Sequence, residues 1–93
     1  MITIDSNTCR PVVRCDVCGE QIERAEEGGY AWDMREDEAQ IRFAHKGDCF
    51  QELEQQLGPS VCDLDLSWLP VMLADALGVD VEGTRRLIAR LQV

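Results

Sequence analysis

Basic side chains are scarce in this 93-residue sequence: nine Lys and Arg stand against eighteen Asp and Glu, a formal net charge of −9. Residues 1–66 hold fifteen acidic and six basic residues, which alone gives −9, whereas residues 67–93 hold three of each. Nucleic acids and anionic membranes attract basic surfaces. The charge therefore disfavours both as partners of the N-terminal two-thirds.

Long apolar runs are also missing, since no stretch approaches the roughly 20 residues that span a membrane. The opening segment, MITIDSNTCRP, has neither the basic start nor the apolar stretch of a signal peptide. We therefore expect a cytoplasmic protein with no membrane partner. Five cysteines, an odd number, in such a setting favour metal-binding thiols over a disulfide framework.

Two short alternating stretches predict an antiparallel β-hairpin. YAWDM (30–34) and AQIRFAH (39–45) flank the charged turn REDE. A helix should follow, with Asp48 as its N-cap and Gly58 at its end. The inner face of the hairpin should carry four apolar side chains, namely Tyr30, Trp32, Ile41 and Phe43.

The last third begins with SVCDLDL, a linker of undefined form, and continues with two helices. Ser67 could cap the first helix, WLPVMLADAL, which Gly78 ends. Asp80 could cap the second. Helical spacing places Thr84, Leu87, Ile88 and Leu91 on one face of the second helix, which we expect to be buried.

The cysteines form a pattern that predicts a metal site. CDVCG places Cys15 and Cys18 two residues apart, and HKGDC supplies His45 and Cys49. Three thiolates and one imidazole are a tetrahedral ligand set that zinc prefers, and four protein ligands leave no open position for catalysis. We therefore predict one structural Zn²⁺ ion, with Cys15, Cys18, His45 and Cys49 as its ligands.

Several alternatives compete with this interpretation. The pair Cys15 and Cys18 could be a redox motif, although such motifs open a helix after a buried strand, and a glycine follows here. Two unrelated thiols with a surface histidine are a second alternative, and iron is a third. Cys9 and Cys62 lie outside the set, and either could replace His45.

The knuckle, hairpin and helix resemble a treble-clef zinc finger over residues 12–57. In that family a Cys-x-x-Cys-Gly knuckle precedes a β-hairpin, and the following helix contributes the other ligands at its N-terminus. The resemblance implies that Cys15 and Cys18 are the knuckle ligands and that His45 and Cys49 are the helix-side ligands. The second pair departs from the family by its spacing of three residues instead of two.

The segment LADALGVDVEGTRRLIARL (73–91) resembles the helix-turn-helix of bacterial transcription regulators. Ala74, Gly78 and Val79 match the family register, and Leu87 matches a later apolar anchor. The resemblance implies a recognition helix, on which Arg85, Arg86 and Arg90 would face phosphates. Thr84 and Gly83 depart from the family pattern, and a plain helical hairpin would give a similar sequence.

Together these features predict a small α+β fold: a treble-clef-like zinc module in residues 1–58, then a linker and a C-terminal helical hairpin packed on it in residues 59–93. The helix around Trp68 is apolar nearly all round, so any part that the chain leaves uncovered is a surface for a protein partner or for self-association. The prediction is a non-catalytic interaction adaptor, because the only histidine is a metal ligand. A small DNA-binding regulator is the alternative.

Overall fold

The computed structural model describes residues 1–91. Within these residues the chain forms five strands and three helices, with a short 3-10 turn at Ala25–Glu27. In order they are β1 (Ile2–Asp5), β2 (Arg10–Val13), β3 (Gly28–Asp33), β4 (Arg42–His45), α1 (Asp48–Leu57), β5 (Val61–Asp65), α2 (Trp68–Leu77) and α3 (Val81–Leu91). The fold is therefore small α+β, as predicted.

A three-stranded antiparallel sheet in the order β4-β3-β5 forms the centre of the molecule. The predicted hairpin is its first half, in which Tyr30 pairs with Phe43. Ile41 lies on the side of Tyr30 and Trp32, as predicted, but β4 begins only at Arg42 and Ile41 is 37% exposed in the connection. Alternation therefore identified the strands but placed the start of the second one too early.

Three strands of the structure had not been predicted. The segment taken as a linker forms β5, in which Cys62 pairs with Trp32 and Leu64 pairs with Tyr30. Because β3 would otherwise be a sheet edge, β5 satisfies its second row of backbone hydrogen-bonding groups. β1 and β2 form a separate antiparallel hairpin that places β2 immediately before Cys15.

Helix α1 lies against one face of the sheet. Leu53 and Ala44 are fully buried in the core. At Gly29 a Cβ atom would lie 2.8 Å from the ring of Phe50, so the close approach of helix and strand requires glycine there. On the other face, the hydroxyl of Tyr30 donates to Met72 Sδ of α2 at 3.4 Å.

Most helix ends lie where the sequence predicted them, but two of the predicted N-caps do not form. Gly58 follows α1 and Gly78 follows α2, both with positive φ. Asp80 caps α3, because its Oδ1 accepts the amide N–H of Gly83 at 3.1 Å. Asp48 is the first residue of α1 rather than its cap, and the Ser67 hydroxyl bonds to Asp65 instead of capping α2.

The prediction of a buried face on α3 was wrong. Leu87, Ile88 and Leu91 are 49%, 48% and 77% exposed. Helix α2 likewise leaves Trp68 and Leu77 exposed. The periodic apolar face of α3 exists, but nothing within residues 1–91 covers it. No helix of the described chain is long and apolar enough to cross a membrane.

Candidate metal centre

The structure brings together Cys15, Cys18, His45 and Cys49, whose ligand atoms all lie within 4.8 Å of one another. Three segments contribute these residues. The knuckle after β2 carries Cys15 and Cys18, β4 ends at His45, and Cys49 lies in the first turn of α1. Cys15 is buried, and Cys18 lies at the surface. The cluster therefore extends from the buried interior, at Cys15, to the molecular surface, at Cys18.

The knuckle curls because its backbone bonds to itself. The amide of Cys15 donates to the carbonyl of Glu20 at 2.9 Å, and the amide of Gly19 donates back to the carbonyl of Cys15 at 3.0 Å. Gly19 has φ +81°, a conformation that glycine adopts without strain. The amides of Val17 and Cys18 then point at the Cys15 sulfur, each at 3.4 Å.

The imidazole of His45 is oriented by a bond on its far side. Its Nε2 lies 3.2 Å from the carbonyl oxygen of Gln21, and its Nδ1 lies 3.4 Å from Cys18 Sγ. A carbonyl only accepts, so Nε2 carries the proton and donates it. This leaves the Nδ1 lone pair directed into the cluster, the arrangement in which histidines bind metal ions.

Asp16 fixes the knuckle to β4. Its backbone amide donates to the carbonyl of Phe43 at 2.7 Å, and its side-chain Oδ2 accepts the amide of Phe43 at 2.7 Å. The same carboxylate bonds the N-terminal ammonium of Met1 at 3.0 Å. Because Phe43 lies two residues before His45, these bonds set the distance between the knuckle cysteines and the imidazole.

The pKa values of two of the cluster's thiols shift in opposite directions. Burial alone would raise the pKa of Cys15, but the amides of Cys18, His45 and Val17 and the His45 ring outweigh it and lower the pKa to about 6. Burial, together with the neighbouring sulfurs of Cys15 and Cys18, raises the pKa of Cys49 to about 11. The bond to Cys15 raises the pKa of His45.

The two pKa shifts therefore run in opposite directions. Cys15 ionises readily, whereas burial first, and then the nearby sulfurs of Cys15 and Cys18, disfavour the thiolate form of Cys49. A divalent cation at the centre would reverse the effect on Cys49, since a coordinating thiol is deprotonated outright. The donor set thus needs a positive ion to carry its full charge.

The residues fit a zinc ion. Zinc–sulfur distances of about 2.3 Å and zinc–nitrogen distances of about 2.0–2.1 Å place tetrahedral ligand atoms roughly 3.5–3.8 Å apart. The Cys18–His45 separation of 3.4 Å matches this spacing, and the ligand atoms of the whole set all lie within 4.8 Å of one another.

The two remaining cysteines lie outside the cluster. Cys9 is exposed in the turn between β1 and β2. Cys62 lies on β5, where its thiol donates to Met34 Sδ at 2.9 Å. Sequence reasoning missed the supporting groups Asp16 and Gln21. An aspartate between the two knuckle cysteines was a weak signal for the first, and a backbone carbonyl leaves no signal for the second.

No family model, curated protein or solved structure matches this chain. What the fold and the cluster define is a small α+β protein with a Cys3His group that could hold a metal ion.

Proposed function

We propose that this protein is a zinc-stabilised, non-catalytic interaction protein of the cytoplasm. In this proposal Cys15, Cys18, His45 and Cys49 hold one structural Zn²⁺, and the helix around Trp68 contributes a surface that binds protein. The convergence of three thiols and the only histidine on one point carries the proposal. Five free cysteines favour a reducing compartment.

The position of the cluster supports a structural role for the ion. Its ligands come from the knuckle, from the end of β4 and from the start of α1, so one ion would tie three segments together. The fully buried large side chains are few, Leu53 and Cys15. Small domains with so little core commonly depend on a metal for stability.

The order of knuckle, hairpin and helix around the cluster favours a treble-clef-like arrangement as the finer description of the fold. Cys49 at the helix start and His45 at the strand end would then be the helix-side ligands. The three-residue spacing between them leaves the imidazole on the strand. The Gln21 carbonyl, by orienting that ring, supports this variation on the family pattern.

Two features support a binding role over catalysis. The only histidine is engaged in the cluster, which leaves no imidazole to serve as a general base elsewhere. The α2 side chains Trp68 and Val71 are 55% and 62% exposed, and a large exposed aromatic residue beside aliphatic neighbours is typical of protein-binding surfaces.

We expect the purified, reduced protein to contain about one zinc ion per chain. Strong chelators should remove the ion and unfold the module, because binding free energy is folding free energy at such sites. Elemental analysis and circular dichroism before and after chelation measure both effects. A metal-free protein that is stably folded would contradict the structural role.

The same ion should leave on acidification. A thiolate must lose its proton to bind zinc, so a pH below the Cys15 value of about 6 favours protonated thiols and free metal. Zinc retention measured in the same chelation experiment should therefore fall as the pH falls, and not as it rises.

We expect no specific DNA binding at physiological salt. Arg85, Arg86 and Arg90 are exposed on α3, but the same region carries three acidic residues and residues 1–66 carry a net −9. Counterion release needs a surface on which bases outnumber acids. A gel-shift assay against genomic fragments tests this. A competitor-resistant complex that Arg85→Ala and Arg86→Ala abolish would establish the regulator instead.

A further inference from the structure

Two apolar surfaces of this chain lie open in the structure. The first, here called the arm face, is the stripe of Leu87, Ile88 and Leu91 on α3. The second, the sheet groove, has a volume of about 380 Å³ on the face of the sheet opposite α1. Its lining comes from β3 and the following turn: Tyr30, Trp32, Met34, Glu36, Ala39 and Ile41.

The sheet groove has the composition of a helix-binding site. The rings of Tyr30 and Trp32 stack with centroids 5.7 Å apart, which gives a flat aromatic floor. Met34 is 64% exposed at one side, and methionine adapts to many apolar shapes. The arm face supplies matching anchors, because positions i, i+1 and i+4 of a helix present one stripe to such a groove.

The charges around the two surfaces are complementary. The groove ends at a turn of three consecutive acidic residues, 36–38, while the neighbouring Arg35 is held by Asp33 at 2.8 Å. The polar side of α3 carries Arg85, Arg86 and Arg90, and none of the ion pairs found among residues 1–91 engages them. Helix α3, with three arginines and one glutamate, therefore has a net positive charge, opposite in sign to the acidic rim of the groove.

We propose that the protein forms a reciprocal homodimer in which the arm face of each copy occupies the sheet groove of the other. The inference rests on the proposed role as an interaction protein. It adds two surfaces to the one around Trp68, and it names a second copy of this chain as their partner. Charge favours this geometry over a contact between two copies of residues 1–66, each with net −9. The arm, helix α3, belongs to residues 67–93, a segment with no net charge to repel the partner.

The reciprocal geometry enlarges the interface. A standard-size interface buries about 800 Å² on each partner and involves roughly 20–30 residues a side. Helix α3 alone offers eleven residues, so a single contact falls short of that size. A two-fold arrangement uses α3 and the groove of each copy at once, which adds the six groove-lining residues on each side, doubles the contact and closes the assembly.

Sedimentation velocity from low to high micromolar concentration tests the proposal with the zinc-loaded protein. We expect a concentration-dependent dimer that Leu87→Glu and Met34→Glu each weaken at least about tenfold, because each places a carboxylate in an apolar contact. Ile4→Glu is the matched control, since Ile4 is equally exposed, at 65%, but lies on β1 outside both surfaces. That control should dimerise like the unaltered protein.

A mixture of the two weakened variants gives the sharper result. In an equimolar mixture, the intact arm of the Met34→Glu chain can enter the intact groove of the Leu87→Glu chain. One of the two contacts is thereby restored, so the mixture should associate more tightly than either variant alone. This recovery is specific to an arm that enters a groove of another copy.

Four outcomes would overturn the proposal. They are a monomer at every concentration, a Met34→Glu dimer as stable as the unaltered one, equal weakening by Ile4→Glu, and no recovery in the mixture. An unaffected Met34→Glu dimer would indicate contact between two arms. Zinc content is measured on every sample. A monomer with one zinc per chain removes the homodimer and leaves the zinc-stabilised protein standing, whereas a metal-free, folded protein removes the proposed function itself.

Discussion

Cys49→Ser is expected to lower zinc affinity by more than about 100-fold, beyond the 10–100-fold losses seen when only a group supporting a ligand is removed. The serine hydroxyl keeps the size of the side chain but does not ionise near neutral pH. The shell around the ion therefore opens at the start of α1. Competition with a chromophoric chelator measures the affinity, and thermal unfolding measures the accompanying loss of stability.

The matched controls for this variant are Cys62→Ser and Cys9→Ser. Cys62 is half-buried like Cys49 but lies on β5, where it contacts Met34, and Cys9 lies in an exposed turn. Both should keep one zinc per chain, and Cys62→Ser should lose only a weak thiol contact. If all three variants held zinc equally and melted together, the proposed ligand set would be incorrect.

The candidate site could be predicted because its signals are local and rare. Two cysteines separated by two residues and followed by Gly19 are typical of a metal-binding knuckle, and a single histidine leaves little choice for a nitrogen ligand. The structure adds what holds these residues in place. Asp16 and the carbonyl of Gln21 act through hydrogen bonds between segments that are distant in sequence, and no local pattern records those bonds.

The strands show where local patterns stop being informative. β3 and β4 carry aromatic and apolar residues in alternation, which predicts a hairpin. β5 also alternates, with Cys62 and Leu64 between Asp63 and Asp65, but it has no aromatic residue and aspartate is depleted in strands. It is a strand because the open edge of β3 needs hydrogen-bonding partners. The β1–β2 hairpin contains β-branched residues that favour strands, but each strand has only four residues, and Ile2 and Ile4 are exposed. Strands this short carry too few alternating positions to be recognised from sequence alone.

The error on α3 has a different cause. Periodicity correctly placed Leu87, Ile88 and Leu91 on one face of a helix, but it does not say which molecule covers that face. We assigned the cover to the same chain, and the structure leaves the face exposed. An amphipathic helix is thus evidence that its apolar face is covered by something. Whether the cover comes from the same chain or from another molecule depends on the tertiary fold, which the helix sequence does not contain.

The core beneath the metal cluster should be as sensitive as the ligands themselves. Leu53→Ala is expected to lower the free energy of unfolding by about 2–5 kcal/mol, the range for removal of a fully buried leucine. Leu53 is 0% exposed, and it lies four residues after Cys49, on the same face of α1. The packing of Leu53 holds α1, the helix that carries Cys49, against the sheet.

Leu57→Ala is the control for that variant, because it makes the same change on the same helix at a side chain that is only half-buried. It should cost about 1–2 kcal/mol, in proportion to the smaller apolar area that leaves the core. Urea unfolding of both variants with saturating zinc measures the difference.

Because α1 positions Cys49, Leu53→Ala should also weaken zinc binding, whereas Leu57→Ala, a further turn away, should leave it nearly unchanged. Equal losses of stability from the two variants would show that α1 does not pack on the sheet through Leu53, and normal zinc affinity in a destabilised Leu53→Ala protein would separate the helix packing from the metal site.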